Sequence, residues 1–436
     1  MNISRKIVHV GSIAFGLFIG RAEPAVVSLI CLAAFFMNLF ILPKLSKGLL
    51  EYPKDLVQGY SVGMLMYPFV LFVVSVLFWE QQIIMAVAWG ALAFGDASAG
   101  LVGGALGKRN PLFWNKEKSW AGLLAFWVFG TLLTFFFLYL LPAPTRLGLP
   151  DLAWFCIVLA AVLVAGLLET LPNTLDDNLV ITGSAAFVAF LGLNIYNLPP
   201  TIFALPPRTG IACLAIGLAL GIVFYLKKLN IQGVVAGGLV AFSIFLGSGL
   251  GGLCVLFTFL TLGFGASAHK KQKKILLQAN YETKRAAANV WANGGMAAIF
   301  GILAFVFKEK TAAYTLAMAC TLAAAAADTL ASELGSIYGT NTIHILKLTN
   351  TAPGTDGGIS REGTIFAILG AILVGMSYAI FVSQRSDHFF LIAVLGFIGC
   401  IVDSILGATL QKDKLLNNHT VNFLMCLIVG IIALFN

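Results

Sequence analysis

Phe94-Gly95-Asp96-Ala97-Ser98-Ala99-Gly100, continuing through Gly103 and Gly107 to Lys108, is the stretch that decides how the chain is read. It lies inside an apolar segment, where a carboxylate has no water to ionise into. On insertion scales a charge at the centre of a lipid-buried helix costs about 2.5–3.5 kcal/mol, so such a residue marks a functional site by default. Small residues around Asp96 let a second backbone or a ligand come close, and Lys108, Arg109, Lys116 and Lys118 follow. A carboxylate for a metal, glycines for approach and cations for an anion thus meet at one end of a span. The plainer reading is a packing stretch with one satisfied polar residue, since Gly103 and Gly107 also make a small-xxx-small interface. Near the C-terminus Asp328, Ala331, Gly335 and Gly339 repeat the offsets of Asp96, Ala99, Gly103 and Gly107. Two intramembrane carboxylate sites are expected, within an internal duplication.

The chain around these stretches has 436 residues, of which 59% are hydrophobic and 11% charged, with a net charge of +8. Soluble proteins carry about 25% charged residues, so the expectation is an all-α, polytopic integral membrane protein. Seven cysteines stand singly in apolar runs with no CxxC pair, which argues against disulfides and zinc. The positive charge is explained by topology rather than by nucleic acid. Apolar runs predict fifteen spans in two bundles, near 7–20, 24–43, 60–79, 83–106, 120–141, 152–170 and 179–192, then 210–226, 233–247, 250–267, 286–307, 311–331, 362–382, 389–410 and 420–435. The first resembles a short signal peptide, but His9 in its apolar run and the immediate second span favour an uncleaved helix.

With the N-terminus cytoplasmic, only Arg21, Arg146, Arg208, Lys308, Lys310 and Arg385 of the 27 Lys and Arg fall on the far side. That bias follows the positive-inside rule. It also puts the informative polar residues on the cytoplasmic side, with Asp176-Asp177-Asn178 in a loop and Asp328 and Glu333 closing a span. Transporters are expected to place such groups near the midplane. A one-sided set fits chemistry on a charged, cytosolic co-substrate. The proline pairs Pro199-Pro200 and Pro206-Pro207 interrupt the apolar pattern. They suggest a first domain of 1–195, a connection of 196–209 and a second domain of 210–436.

The first half gathers Arg5-Lys6-x-x-His9, the Asp96 stretch, Lys116-Glu117-Lys118-Ser119 ahead of Gly122, and Glu169-x-x-Pro172 with Asp176-Asp177-Asn178. In this order the motifs resemble the membrane polyprenol kinases, the dolichol and phytol kinase family, and the related CTP-using lipid cytidylyltransferases. The resemblance implies phosphoryl transfer from CTP or another nucleoside triphosphate to an isoprenoid alcohol. Such transfer needs Mg²⁺ and Lys or Arg to neutralise spreading charge. Asp96 and Asp177 are the metal candidates, Lys108 and Lys118 the phosphate holders, with Ser119 and Asn178 beside them. An alcohol must lose a proton, so a general base is expected. His9 and Glu169 are both candidates, and the sequence does not choose between them.

The second half carries His269-Lys270-Lys271-Gln272-Lys273-Lys274, then Lys284-Arg285 before Asn289 and Asn293, then Asp328 with Glu333, and Asp403. Between these lies Gly354-Thr355-Asp356-Gly357-Gly358-Ile359-Ser360, followed by Arg361. Its successive N–H groups suit an anion-binding nest at a helix start. No Gly-Lys-Ser/Thr closes it, so it is not a Walker motif. These motifs resemble the membrane family that includes phytyl-phosphate kinase, with Asn289 in place of the usual Gln and Asp356 in place of a frequent Asn. The implied reaction adds a second phosphate to a prenyl monophosphate. Asp328, Glu333 and Asp403 are the metal candidates, and Lys284, Arg285 and Arg361 the phosphate holders. Lys270–Lys274 suit anionic lipid head groups. The fused halves imply a bifunctional salvage kinase making a prenyl diphosphate from a prenol. A CTP-dependent cytidylyltransferase and a lipid or ion transporter are the rival readings.

Overall fold

The computed structural model describes residues 3–45, 61–106, 110–171, 176–196, 198, 206, 208–277, 286–383, 385–412 and 416–436. The chain divides into two compact units, Met1–Leu198 and Pro199–Asn436. Most of the expected 196–209 connection lies outside the described residues. Among those described, ten helices are long and apolar enough to cross a membrane, and four shorter apolar helices accompany them. Each of the fifteen expected spans falls on one of these fourteen helices, one of which takes two.

The first unit contains α1 (Ile7–Gly16), α2 (Pro24–Ile41), α3 (Val62–Leu77), α4 (Gln82–Leu106), α5 (Trp120–Leu140), α6 (Asp151–Glu169) and α7 (Asp177–Tyr196). Its core runs along α4, where Ile84 to Ala88 are fully buried against Phe126, Phe137, Trp154 and Ile181. The helix is not regular: Ala91–Asp96 is a π-helical turn. Such turns recur at functional sites, and this one ends on the intramembrane carboxylate. Ser119 starts α5 by accepting a hydrogen bond from the Gly122 N–H at 3.1 Å. Sequence reading put Asp177 and Asn178 in a loop. They instead open α7, because the Asp176 carboxylate accepts from the Asn178 N–H at 3.0 Å and caps the helix.

The second unit contains α8 (Thr209–Tyr225), α9 (Ile231–Ala268), α10 (Ala287–Val306), α11 (Thr311–Tyr338), α12 (Arg361–Phe381), α13 (Ser386–Gln411) and α14 (Asn418–Leu434). α9 is two expected spans joined at Gly249, whose φ of 62° and ψ of −157° are open essentially to glycine alone. Ser248 meets Thr315, Thr258 meets Ser377 and Ser267 meets Glu333. The second arm therefore runs alongside α11 and antiparallel to α12. α11 continues to Tyr338, so Glu333 lies within it rather than beyond its end. The all-α expectation needs one amendment: β1 (Thr342–His344) pairs antiparallel with β2 (Gly358–Ser360).

Between lipid-buried helices, association depends on close packing of small residues more than on the hydrophobic effect. α11 shows this: Ala323 to Ala327 are all fully buried, and α13 lays Gly396 and Gly399 on them. A Cβ at Gly399 would come 2.4 Å from the Ala324 Cβ, whereas one at Gly265 meets nothing within 4 Å. Gly399→Ala is therefore expected to destabilise the protein by about 1–3 kcal/mol through overpacking. Gly265→Ala should be neutral or stabilising, and thermal melts in detergent compare the two.

Candidate functional site

In the first unit the π-helical turn carries Asp96 beside α1. Asp96 Oδ2 lies 3.5 Å from His9 Nδ1, and both side chains are largely buried. The imidazole packs on Tyr67, with ring centroids 4.5 Å apart. Ser12 donates to the His9 carbonyl at 2.7 Å, and the one proton of the Tyr67 hydroxyl is shared between Ser12 Oγ at 2.8 Å and that carbonyl at 3.2 Å. His9, Ser12 and Tyr67 line a cavity of about 340 Å³ whose remaining lining is apolar but for Asn38, and includes Phe15, Met37, Met64 and Leu71.

A second polar group sits at the ends of α5, α6 and α7. Lys118 Nζ donates to the buried Glu169 carboxylate and, at 2.9 Å, to Asp177 Oδ2. Burial alone would lower the Lys118 pKa, but the two carboxylates outweigh it and hold the ammonium above the ordinary lysine range. Lys118 thus bridges Glu169 and Asp177, and Asp96 lies near enough for its charge to act on Glu169. Ser119 is a helix cap. Asn178 donates to the Gly63 carbonyl and to Asp176, both at 2.8 Å, and so fastens α7 to α3. Lys108 lies outside the described residues.

In the second unit Asp328 and Asp403 meet within hydrogen-bonding reach. The Asn422 amide lies 3.2 Å from Oδ1 of both Asp403 and Asn293. An amide beside a carboxylate can only donate to it, which orients Asp403. Two facing carboxyl groups require a proton or a cation between them. No cluster of three or more His, Cys, Asp or Glu is found among the described residues. Asp328 and Asp403 match the one or two carboxylates that Mg²⁺ takes alongside phosphate oxygens.

Several other expected site residues have different work. Glu333 accepts from Lys274 at 2.7 Å and from Ser267 at 2.6 Å. Lys274 is buried, with 1% of its side chain exposed, so it is an internal counter-ion, not a contact for lipid head groups. Asn289 accepts from Asn293 at 2.9 Å through its carbonyl. The Gly354–Ser360 run is not a continuous nest. Gly354 and Gly357 have φ of 82° and 73°, but Gly358 and Ser360 belong to β2. Gly358 N–H donates to the Thr355 carbonyl at 2.8 Å, and Ser360 caps α12. Thr355 donates to the Ala352 carbonyl, the Asp356 carboxylate accepts from Gln411, and Arg361 is exposed at the start of α12. Lys284 and Arg285 lie outside the described residues.

The repeated offsets have the same surroundings. A Cβ on Gly103 would meet Gly122 Cα at 3.3 Å and Ser119 Oγ at 3.3 Å, while one on Gly335 would meet Gly363 Cα at 3.1 Å and Ser360 Oγ at 3.6 Å. On the opposing helices, Gly122 faces the Ala99 carbonyl at 3.2 Å and Gly363 the Ala331 carbonyl at 3.5 Å. The segment before each cap is also paired alike, Pro111 with Ser119 and Thr342 with Ser360. Each unit thus builds its carboxylate helix, its bridge and its serine-capped helix on one plan.

Parts of this sequence are similar to known proteins. A family model for the integral membrane protein DUF92 matches residues 214–430. An uncharacterized membrane protein of Methanocaldococcus jannaschii is 32% identical over 210 residues, which is 85% of that protein and 48% of this chain. The chain belongs to the DUF92 family of integral membrane proteins. The DUF92 match contains Asp328, Asn422 and Asp403. Phytol kinase 1 of Arabidopsis thaliana is 27% identical over 210 residues, 66% of that protein and 44% of this chain. A probable phytol kinase of Triticum aestivum is 33% identical over 134 residues, 43% of that protein and 30% of this chain. The chain therefore spans less than two thirds of these kinases. No solved structure matches it.

Proposed function

We propose that this DUF92 protein is a bifunctional salvage kinase of isoprenoid alcohols. The first unit phosphorylates a prenol such as phytol or geranylgeraniol, using CTP or another nucleoside triphosphate. The second converts the prenyl monophosphate to the diphosphate. The observation that carries this reading is His9 on the wall of a largely apolar cavity, with Asp96 Oδ2 3.5 Å from its Nδ1. Its volume of about 340 Å³ falls in the range of small-molecule sites. Similarity to phytol kinases supports the substrate class, and the Lys and Arg bias of the loops supports nucleotide entry from the cytoplasm.

His9 turns Nδ1 toward the Asp96 carboxylate, 3.5 Å away, which leaves Nε2 as the nitrogen to take a proton. In the first step the alcohol proton passes to His9 Nε2 as the alcohol oxygen bonds to the γ-phosphorus. The bond from that phosphorus to the β-bridging oxygen breaks, and the nucleoside diphosphate leaves. Asp96 stabilises the imidazolium. Glu169, tied to Lys118, is the weaker of the two base candidates. In the second step the acceptor is a phosphate monoester with second pKa near 6, which needs no strong base. Mg²⁺ held by Asp328 and Asp403 would neutralise charge on the transferring group there.

The test incubates purified full-length protein with phytol, Mg²⁺ and either CTP or ATP, and follows products by mass spectrometry. Phytyl monophosphate and diphosphate are expected. A CDP-lipid would make the first unit a cytidylyltransferase, and no nucleotide-dependent product would remove the enzyme reading. His9→Gln should lower prenol phosphorylation by about 10²–10⁴-fold while supplied monophosphate is still consumed. Full turnover by His9→Gln together with loss in Glu169→Gln would give the role of base to Glu169.

A further inference from the structure

Beside the Gly354–Ser360 turn the second unit contains a cavity of about 320 Å³ lined by polar residues. It lies at the β1 turn and the end of α13, lined by His344, Lys347, Thr351, Thr355, Asp356 and Lys412 among others. His344 is 7% exposed. Its Nδ1 accepts from the backbone N–H of Leu346 at 3.3 Å and of Lys347 at 3.4 Å. An imidazole accepting at Nδ1 carries its proton on Nε2, which is then a donor. That Nε2 has no hydrogen-bond partner among the described residues. A buried donor without an acceptor is rare in folded proteins and points to a missing acceptor atom.

The charges around it point the same way. The same turn that His344 fixes carries Lys347, which lines the cavity together with Lys412. Two ammonium groups repel unless an anion lies between them. The carboxylate in the cavity lining, Asp356, accepts from Gln411 Nε2 at 3.0 Å through Oδ1. Thr351 and Thr355 add hydroxyls, themselves 3.2 Å apart. Two cations, a neutral imidazole N–H and hydroxyls match the several oxygens of a phosphate chain better than a single carboxylate. The loop closing the cavity also packs on the helix that carries Asp403. A Cβ at Gly357 would come 2.4 Å from the Ala408 Cβ, so the backbones of loop and helix touch little more than one turn beyond that carboxylate.

We infer that this cavity holds the polyphosphate chain of a nucleoside triphosphate, with Lys347 and Lys412 as its cationic contacts and His344 Nε2 as a third donor. The inference rests on the phosphoryl-transfer reading and adds to it where the donor nucleotide of the second unit is gripped. Lipid phosphate offers the same chemistry, and the test separates the two sources.

Full-length protein in nanodiscs of phosphatidylcholine is titrated calorimetrically with ATP, CTP and inorganic tripolyphosphate. A parallel set uses nanodiscs containing phosphatidylglycerol. Wild type should bind tripolyphosphate and nucleotide in both. The double variant Lys347→Gln/Lys412→Gln should bind at least about tenfold more weakly, as expected for losing charge-assisted hydrogen bonds. His344→Ala should weaken binding too, and Lys347→Arg/Lys412→Arg should restore it. Both lysines are exposed, so the variants should elute and melt like wild type. Unchanged affinity in the double variant, no binding by wild type, or wild-type binding abolished by phosphatidylglycerol overturns the inference. Lysine-dependent nucleotide binding without any prenyl phosphate product would sink the kinase reading alone. Normal diphosphate synthesis by the double variant, with an unchanged KM for nucleotide, would sink the cavity assignment alone.

Discussion

Asp96→Asn is expected to cut prenol phosphorylation by about 10²–10⁴-fold while supplied prenyl monophosphate is still converted to diphosphate. The substitution keeps the shape of the side chain, so α4 and its π-helical turn should be retained. It removes the charge that lies 3.5 Å from His9 Nδ1. A neutral amide cannot offset the positive imidazole that proton transfer creates. Mass spectrometry of phytol and of phytyl monophosphate reactions, run on one preparation, reads both steps. Normal turnover of phytol by the variant would take Asp96 out of the chemistry. Equal loss of both steps in a folded variant would mean one shared site and would end the two-step scheme.

The complementary expectation concerns Asp328→Asn and Asp403→Asn. Either should leave phytol consumption nearly intact and let the monophosphate accumulate, with diphosphate formation falling by a factor of about 10² or more. The reason is electrostatic. Two anions must be brought together in this step, and the facing carboxyl groups of Asp328 and Asp403 are the described place to hold a divalent cation. Replacing one by an amide still permits a hydrogen bond between the helices, so packing should survive. A magnesium titration checks the assignment. A variant that recovers full activity at high Mg²⁺ has lost affinity only, whereas wild-type behaviour at every concentration would exclude the pair from the site.

Much of this was legible in the residues. Asp96 and Asp328 announce themselves because a carboxylate in an apolar run is costly, and the fifteen apolar runs all became helix. Spacing also disclosed that the two stretches are related. What sequence could not disclose was pairing. Lys274 reads as one more cation in a basic run, yet it is the buried partner of Glu333, 59 positions away. Asn422 stands alone in an apolar helix and gives no sign that it reaches Asp403. His344 follows Ile343 in what reads as an ordinary loop, and only a tertiary view shows its unpartnered nitrogen. The Gly354–Ser360 run misled for a related reason: glycines suited to an anion nest are equally suited to a tight turn into a strand. Local composition does not say which backbone groups the rest of the chain will claim.

The twofold crossing has a genetic consequence. Tolerance at Gly103 is set by Gly122 and Ser119, and tolerance at Gly335 by Gly363 and Ser360, at nearly the same distances. Saturation mutagenesis should therefore write the same profile twice, once in each half, legible as two copies when Gly103 is aligned with Gly335. Where the copies diverge, geometry is no longer the selective force, and those positions record what each half has come to do on its own.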